Sequence, residues 1–178
     1  MGIPEHGPLD RAAFEQVVAE YADRLYSITL RITASPLDAE DALQEAFVSA
    51  YRNLGRYRGE ADPRTWLYRI AVNAALRRVR ERAPHEYLED VGEAGQVAGN
   101  WSARAEDPAV AAELRERLET ALGSLPPDFR AAVILRDVEG LSAREAATVL
   151  EIGEAALKSR LHRGRLLLRQ MLGEYLGS

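Results

Sequence analysis

Wherever this chain is apolar, it is apolar with a period of three to four residues. Phe14, Val17, Val18, Tyr21, Leu25, Ile28 and Ile32 fall on one side of a helix. Leu67, Ala71, Ala74, Ala75 and Val79 do the same, and so do Leu157, Leu161, Gly164 and Leu168. No stretch of useful length alternates with period two, and Ala, Leu, Arg and Glu dominate. The expected fold class is therefore all-α, with helices packed on helices.

Composition closes off several kinds of chemistry. Hydrophobic residues make up 47% of the 178, enough to bury a core. Cysteine is absent, which excludes a disulfide scaffold, a cysteine nucleophile and cysteine-ligated zinc. His6, His85 and His162 are scattered, so neither a metal nor any other cofactor is expected. No unbroken apolar run exceeds five residues, so no membrane insertion is expected. Residues 1–6 carry no basic stretch leading into an apolar one, so the expectation is a cytoplasmic protein without a signal peptide.

Start and stop signals divide the chain. After a tail (1–12), helices are predicted over 13–33, from Pro36 to about Leu54, and over 65–82. Ser35-Pro36-Leu37-Asp38 supplies a cap and a first-turn proline, and Gly55–Arg64 reads as a loop. Residues 83–107, with their glycines and acids, read as a linker between a first domain (13–82) and a second (108–178). The second begins with a helix over 108–122. Leu125-Pro126-Pro127-Asp128 opens another, ending near Val138, where Glu139-Gly140 breaks it. Ser142-Ala143-Arg144-Glu145 is a capping box for a short helix to Leu150. Glu151-Ile152-Gly153 turns, and a last helix runs over 154–172.

Charge is distributed in blocks. The net −5 hides a 51–82 segment with nine arginines against three acids, and a 158–169 segment with five bases and no acid. Two basic islands on predicted helices point to nucleic acid, although isolated charge runs also occur as plain solvated faces. The second island lies on the longer helix of a helix-turn-helix. Lys158, Ser159, His162 and Arg163 sit near its start, where base edges are within reach. Arg165 and Arg169 lie further along, placed for phosphates. Arg160 flanks the packed side and is expected to pair with an acid such as Glu145.

Two faces of the first domain stand out. On its second helix Asp38, Asp41 and Glu45 oppose an inward stripe of Leu43, Ala46, Phe47 and Ala50, with Gln44 at the edge. Such a face reads either as solvated surface or as a docking site. On its third helix Trp66, Ile70, Asn73, Arg77 and Arg80 form an outward stripe. Either the ring wedges into melted nucleic acid beside arginines that hold phosphates, or it packs back as core.

Taken together, these segments resemble a bacterial RNA polymerase sigma factor of the sigma-70 superfamily, in the extracytoplasmic-function (ECF) group. The resemblance rests on Asp38-Ala39-Glu40-Asp41-Ala42-Leu43-Gln44-Glu45-Ala46-Phe47 and on Thr65-Trp66-Leu67-Tyr68-Arg69-Ile70-Ala71-Val72-Asn73. In the second domain it rests on Leu125-Pro126-Pro127-Asp128-Phe129-Arg130, Glu139-Gly140-Leu141-Ser142 and Lys158-Ser159-Arg160-Leu161-His162-Arg163-Gly164-Arg165. It implies core RNA polymerase, promoter DNA and an anti-sigma factor as partners, and no catalysis. By resemblance, Asp38, Asp41, Gln44 and Glu45 dock the clamp helices of the polymerase largest subunit. Arg58, Arg64, Trp66, Ile70, Asn73, Arg77 and Arg80 serve the −10 element. Lys158, Ser159, His162, Arg163, Arg165 and Arg169 serve the −35 element. Arg77 stands where members often carry Asp or Asn, and Ala156 where they often carry a hydroxyl.

Two rival readings remain at this level: a helix-turn-helix regulator that never meets polymerase, and a hydrolase using the Asp38/Asp41/Glu45 cluster, which lacks a nucleophile. The linker adds a geometric expectation. Its 24 residues from Pro84 to Asp107 reach about 80 Å when extended at ~3.3 Å each, but average only about 25–30 Å as a coil. The free protein is therefore expected to be compact, its two domains touching and hiding both DNA faces. The linker acids Glu86, Glu89, Asp90 and Glu93 would repel duplex or mimic nucleic acid.

Overall fold

The computed structural model describes residues 9–59, 61–82 and 108–176. The linker over 83–107, its acids Glu86, Glu89, Asp90 and Glu93, and residues 1–8 of the tail lie outside the described residues. Among the described residues the regular structure is helical, with no strand.

The first half is a three-helix bundle. α1 (Arg11–Thr33) starts two residues earlier than its apolar pattern predicts, because Asp10 caps it, accepting from the Ala13 N–H at 2.8 Å. It closes at Ala34 in the left-handed region (φ 52°), whose N–H donates to the Leu30 carbonyl at 2.8 Å. α2 (Pro36–Arg52) begins at once, with Ser35 as cap and Pro36 in the first turn. Its buried stripe is Ala39, Ala42, Ala46 and Ala50, and the larger Leu43 and Phe47 lie half-buried at the edge. Small side chains let α2 approach α1 and α3 closely. A single 3₁₀ turn, Leu54–Arg56, occupies the start of the predicted loop. α3 (Pro63–Arg82) begins two residues early on its own proline.

The second half contains α4 (Pro108–Ser124), α5 (Pro127–Val133), α6 (Ala143–Leu150) and α7 (Glu154–Leu176). α5 runs into a π-helical turn over Ile134–Val138, where the Glu139 N–H reaches the Ile134 carbonyl at 2.9 Å. Gly140 (φ +69°) then reverses the chain. The capping box forms as predicted: Glu145 N–H to Ser142 Oγ at 3.1 Å, and Ser142 N–H to Glu145 Oε2 at 2.8 Å. α7 lays Leu157, Leu161, Leu168 and Leu172 against α4, α5 and α6. Gly164 lies where α7 meets Val133 and Phe129 of α5 closely.

The halves share one hydrophobic cluster, with α3 against α5 and α6, and α1 against α4 and α5. Arg130 crosses the joint. It is 6% exposed, and its Nη1 donates to the Ile32 carbonyl at 2.6 Å while Nη2 donates to Leu125 O at 2.9 Å and to Gly123 O. Those oxygens lie at the C-terminal ends of α1 and α4, where helix carbonyls lack intrahelical partners and the dipole is negative. Arg24 adds a second link, with its Nε 2.6 Å from Oε2 of Glu139, whose side chain is 6% exposed. Tyr68 is buried beside this pair, edge-on to Tyr21 with ring centroids 6.3 Å apart.

The packing can be tested at two positions. A Cβ on Gly164 would lie 2.8 Å from Val133 Cγ2 and 3.3 Å from the Phe129 carbonyl oxygen. Helix propensity favours alanine by about 1 kcal/mol, but overpacking costs roughly 1–3 kcal/mol and a backbone oxygen has no rotamer to escape into. Gly164→Ala is therefore expected to lower stability by about 1 kcal/mol, read as a lower urea midpoint. A raised midpoint would show that α5 and α7 separate freely. The second position is Tyr68, whose hydroxyl burial pushes up to about 12 from the usual 10.0. The neutral form is the one the fold holds, so this contribution to stability is full below the unfolded value and is lost as pH rises through about 12. Tyrosinate absorbance should show Tyr68 titrating last, near 12, and Arg24→Ala should delay it further, because the Arg24 cation favours the tyrosinate and the Glu139 carboxylate left behind opposes it. Uniform titration of all tyrosines would contradict the packing.

Candidate nucleic-acid interface

The α6–turn–α7 unit presents one face outwards. Lys158, Ser159, His162, Arg163 and Arg169 are all exposed, and the cations among them have no ion-pair partner among the described residues. The turn that aims α7 contains Glu151 in the left-handed region at φ 55°. Arg165, predicted for phosphate, is instead held bidentately by Asp137, with Nε to Oδ2 at 2.9 Å and Nη2 to Oδ1 at 2.6 Å. That contact raises its already high pKa. Arg160 pairs with Asp128 of α5 at 3.5 Å and not with Glu145. Glu145 is taken by Ser142 and by Arg64, and the Ser142 hydrogen bonds hold its carboxyl below the usual range.

The acidic face of α2 is matched by a ladder of arginines on α3. Asp38 meets Arg82 at 2.9 Å, Asp41 meets Arg78 at 3.2 Å, and Glu45 meets Arg78 at 3.8 Å as well as Arg77. Gln44 is exposed at the edge of this row. Sequence reasoning missed Arg78 and Arg82. The signal was present: acids at 38, 41 and 45 ascend one helix while arginines at 82 and 78 descend the next, as antiparallel neighbours do.

The outward stripe predicted on α3 is largely covered. Trp66 is 8% exposed and packs on Tyr57, with ring centroids 5.0 Å apart, which corrects the reading of it as an exposed wedge. The helical wheel missed this because the covering ring comes from the loop before α3, while α5 and α6 of the second half also pack against the helix. Ile70 and Asn73 are half-buried. Asn73 Nδ2 donates to Glu151 Oε2 at 3.2 Å, Arg80 pairs with Asp128 at 2.7 Å, and Arg64 pairs with Glu145 at 2.9 Å. Arg77 pairs with Glu45. Of the predicted group, Arg58 is exposed and unpaired among the described residues. It borders a cleft of about 510 Å³ lined also by Arg56, Tyr57, Trp66, Arg69 and Thr148. The Tyr57 hydroxyl donates to the Ala61 carbonyl and closes the loop at its rim. Only one of the two DNA faces is thus hidden, where both were expected to be. The α3 face lies under the second half, and the α7 face is open.

A cationic helix on a capped helix-turn-helix and a cleft of arginines and rings suit phosphate and base contacts. Among the described residues no helix is long and apolar enough to cross a membrane, and no cluster of side chains has the make-up of a metal site.

Comparison with known proteins gives the same division. The Sigma-70 region 2 family profile matches residues 17–84, and the profile for Sigma-70, region 4 matches residues 115–168. The ECF RNA polymerase sigma factor SigW of Bacillus subtilis is 34% identical over 174 residues, covering 92% of this chain and 90% of that protein. The ECF RNA polymerase sigma-E factor of Escherichia coli K12 is 34% identical over 162 residues, covering 88% and 84%. Among solved structures, CnrH in complex with the cytosolic domain of CnrY has a TM-score of 0.65 at 26% identity, over 92% of this chain and 89% of that one. The sigma factor RpoE of Bartonella quintana, bound to the anti-sigma factor NepR, shares the fold with a TM-score of 0.64 at 22% identity, over 89% and 96%. Family profiles over both halves and relatives alike along nearly their whole length make this chain a member of the ECF group of RNA polymerase sigma factors.

Proposed function

We propose that the protein binds core RNA polymerase, directs it to paired −10 and −35 promoter elements and promotes opening of the duplex at the first. The observation that carries this reading is the outer face of α7, where Lys158, Ser159, His162, Arg163 and Arg169 stand free on a capped helix-turn-helix. Residues 108–178 take the −35 element, residues 13–82 take polymerase and the −10 element, and 83–107 joins them. Asp38, Asp41, Gln44 and Glu45 receive the polymerase clamp helices. Docking then exchanges their intramolecular arginine partners for basic groups of the polymerase.

At the −10 element, Arg58 borders the cleft, and Arg64, Asn73, Arg77 and Arg80 follow along α3. Trp66 and Ile70 act from within the packed wall, so an unstacked base enters beside Tyr57 and Trp66 rather than meeting a protruding ring. Arg165 contributes once Asp137 releases it. The protein does no covalent chemistry of its own, needs no cofactor or metal, and works in the cytoplasm with its polymerase. An anti-sigma factor is its regulator, a reading supported by the likeness to CnrH, which was solved with the cytosolic domain of CnrY bound. Run-off transcription by core polymerase, with and without the protein, tests the whole reading.

Asp41→Arg combined with Glu45→Arg should abolish association with core polymerase, since opposing like charges at a docked surface costs several kcal/mol. The amide pair Asp41→Asn and Glu45→Gln should weaken it far less. Co-elution with core polymerase reads both, and wild-type association of the arginine pair would remove α2 from the interface. For the second half, Arg163→Ala should change which −35 sequences are selected, because a bidentate arginine–guanine contact discriminates by about 1–3 kcal/mol. Arg169→Ala should weaken binding evenly and flatten the salt dependence. Selection from randomised −35 duplexes distinguishes them, and an unchanged profile for Arg163→Ala would assign that residue to the backbone.

A further inference from the structure

The arginines of α3 and of the loop before it divide into two groups. Arg77, Arg78 and Arg82 meet the acids of α2, while Arg64 and Arg80 meet Glu145 and Asp128 of the second half. The last turns of α2, residues 46–52, hold no acid, so the start of the antiparallel α3 finds none there. Asp62 spends its carboxylate on the Arg64 N–H at 2.7 Å. Arg56, Arg58 and Arg69 are left without an ion-pair partner among the described residues. All three line the cleft of about 510 Å³.

The walls of that cleft are of three kinds. Tyr57 and Trp66 supply the edge of a ring pair, and the three guanidiniums supply charge. Thr148 comes from α6, in the second half. Its hydroxyl donates to the Arg144 carbonyl at 2.9 Å, so towards a ligand it can only accept. The volume is that of a small-molecule pocket. A nucleotide within a strand brings one charge, fewer than the three cations gathered here. A free nucleotide with a chain of phosphates brings several. Its base suits the rings, its sugar hydroxyls can donate to Thr148, and its phosphates match the guanidinium forks.

We propose that this cleft binds a free nucleoside polyphosphate, held by residues of both halves at once. Binding requires no movement at the joint, because Thr148 already lies at the cleft with the halves packed together. A ligand that binds this arrangement also stabilises it by mass action. If the cleft also takes an unstacked promoter base, the two occupants exclude one another, but the nucleotide site does not depend on that assignment.

The test is calorimetric titration of the full chain, without polymerase or DNA and with a chelator present. The probes are ATP, 2′,3′-dideoxy-ATP, adenosine and inorganic tripolyphosphate. ATP should bind about tenfold more tightly than adenosine or tripolyphosphate, since stacking and phosphate contacts each contribute. Absence of ATP binding would overturn the proposal. Tripolyphosphate binding as tightly as ATP would make the cleft a plain anion site and overturn it too. Arg69→Gln should weaken ATP binding about tenfold, the loss of one charge-assisted contact. Arg115→Gln makes the same change of charge at an exposed position of α4 and should leave it unchanged. Equal losses in the two variants would place the nucleotide outside the cleft. Wild type should prefer ATP over the dideoxy form about threefold, and Thr148→Val should show no preference. A preference that survives the substitution would overturn the contribution of α6. Run-off transcription is an independent readout. A chain that binds ATP but fails to direct core polymerase would strike the promoter reading alone, and one that transcribes without binding ATP would strike the nucleotide site alone.

Discussion

The arrangement of this molecule turns on one guanidinium. Arg130 is almost wholly buried, and its two terminal nitrogens donate to backbone carbonyls at the ends of two helices that belong to different halves. A buried cation is tolerable only where acceptors surround it, and helix C-termini supply acceptors that would otherwise need water. One side chain thereby satisfies the open ends of α1 and α4 and fixes the angle at which the bundle meets the helix-turn-helix unit. With that angle set, α3 must lie along α5 and α6, which decides the fate of its polar side chains.

Around this anchor the electrostatics are arranged in tiers of exposure. The nearly buried Glu139 carboxylate keeps Arg24, while partly exposed acids hold α3, those of the second half along its length and those of α2 at its end. The strength of an ion pair in water falls with its exposure. The contacts that an incoming strand or polymerase would replace are the more exposed and weaker ones, and the contact with the nearly buried acid lies at the joint. The same acids of α2 serve as partners for Arg77 and Arg78 and as the proposed polymerase surface, so occupation by one partner affects the other.

Much of this was legible in the sequence. Helical spacing placed α1, α2 and α7, and Ser35-Pro36 and the Ser142–Glu145 box placed helix starts, because these signals are local. The exposed side of α7 was legible for the same reason, since a helix packed on one side sorts its residues by angle. Trp66 was misread because the ring that covers it, Tyr57, lies in the loop before α3, and no periodicity within the helix reports a loop residue folding back. Arg130 was invisible as a joint, since the Ile32 carbonyl it binds lies 98 residues away. The partners of Arg64, Asn73 and Arg80 were hidden likewise: they depend on how two halves dock across a linker, which no motif in either half encodes.

The π turn at Ile134–Val138 carries a consequence of register. A π turn accommodates one residue more than the α-helical turn it replaces, so the residues beyond it are rotated by about 100° relative to a regular continuation. In that rotated frame Asp137 faces Arg165 of α7 while Glu139 faces Arg24 of α1. One surplus residue thus points two successive acids at two different parts of the molecule, one at α7 and one across the joint. A chain that lost the extra residue would regain an ideal helix, and with it lose the geometry that serves both acids at once.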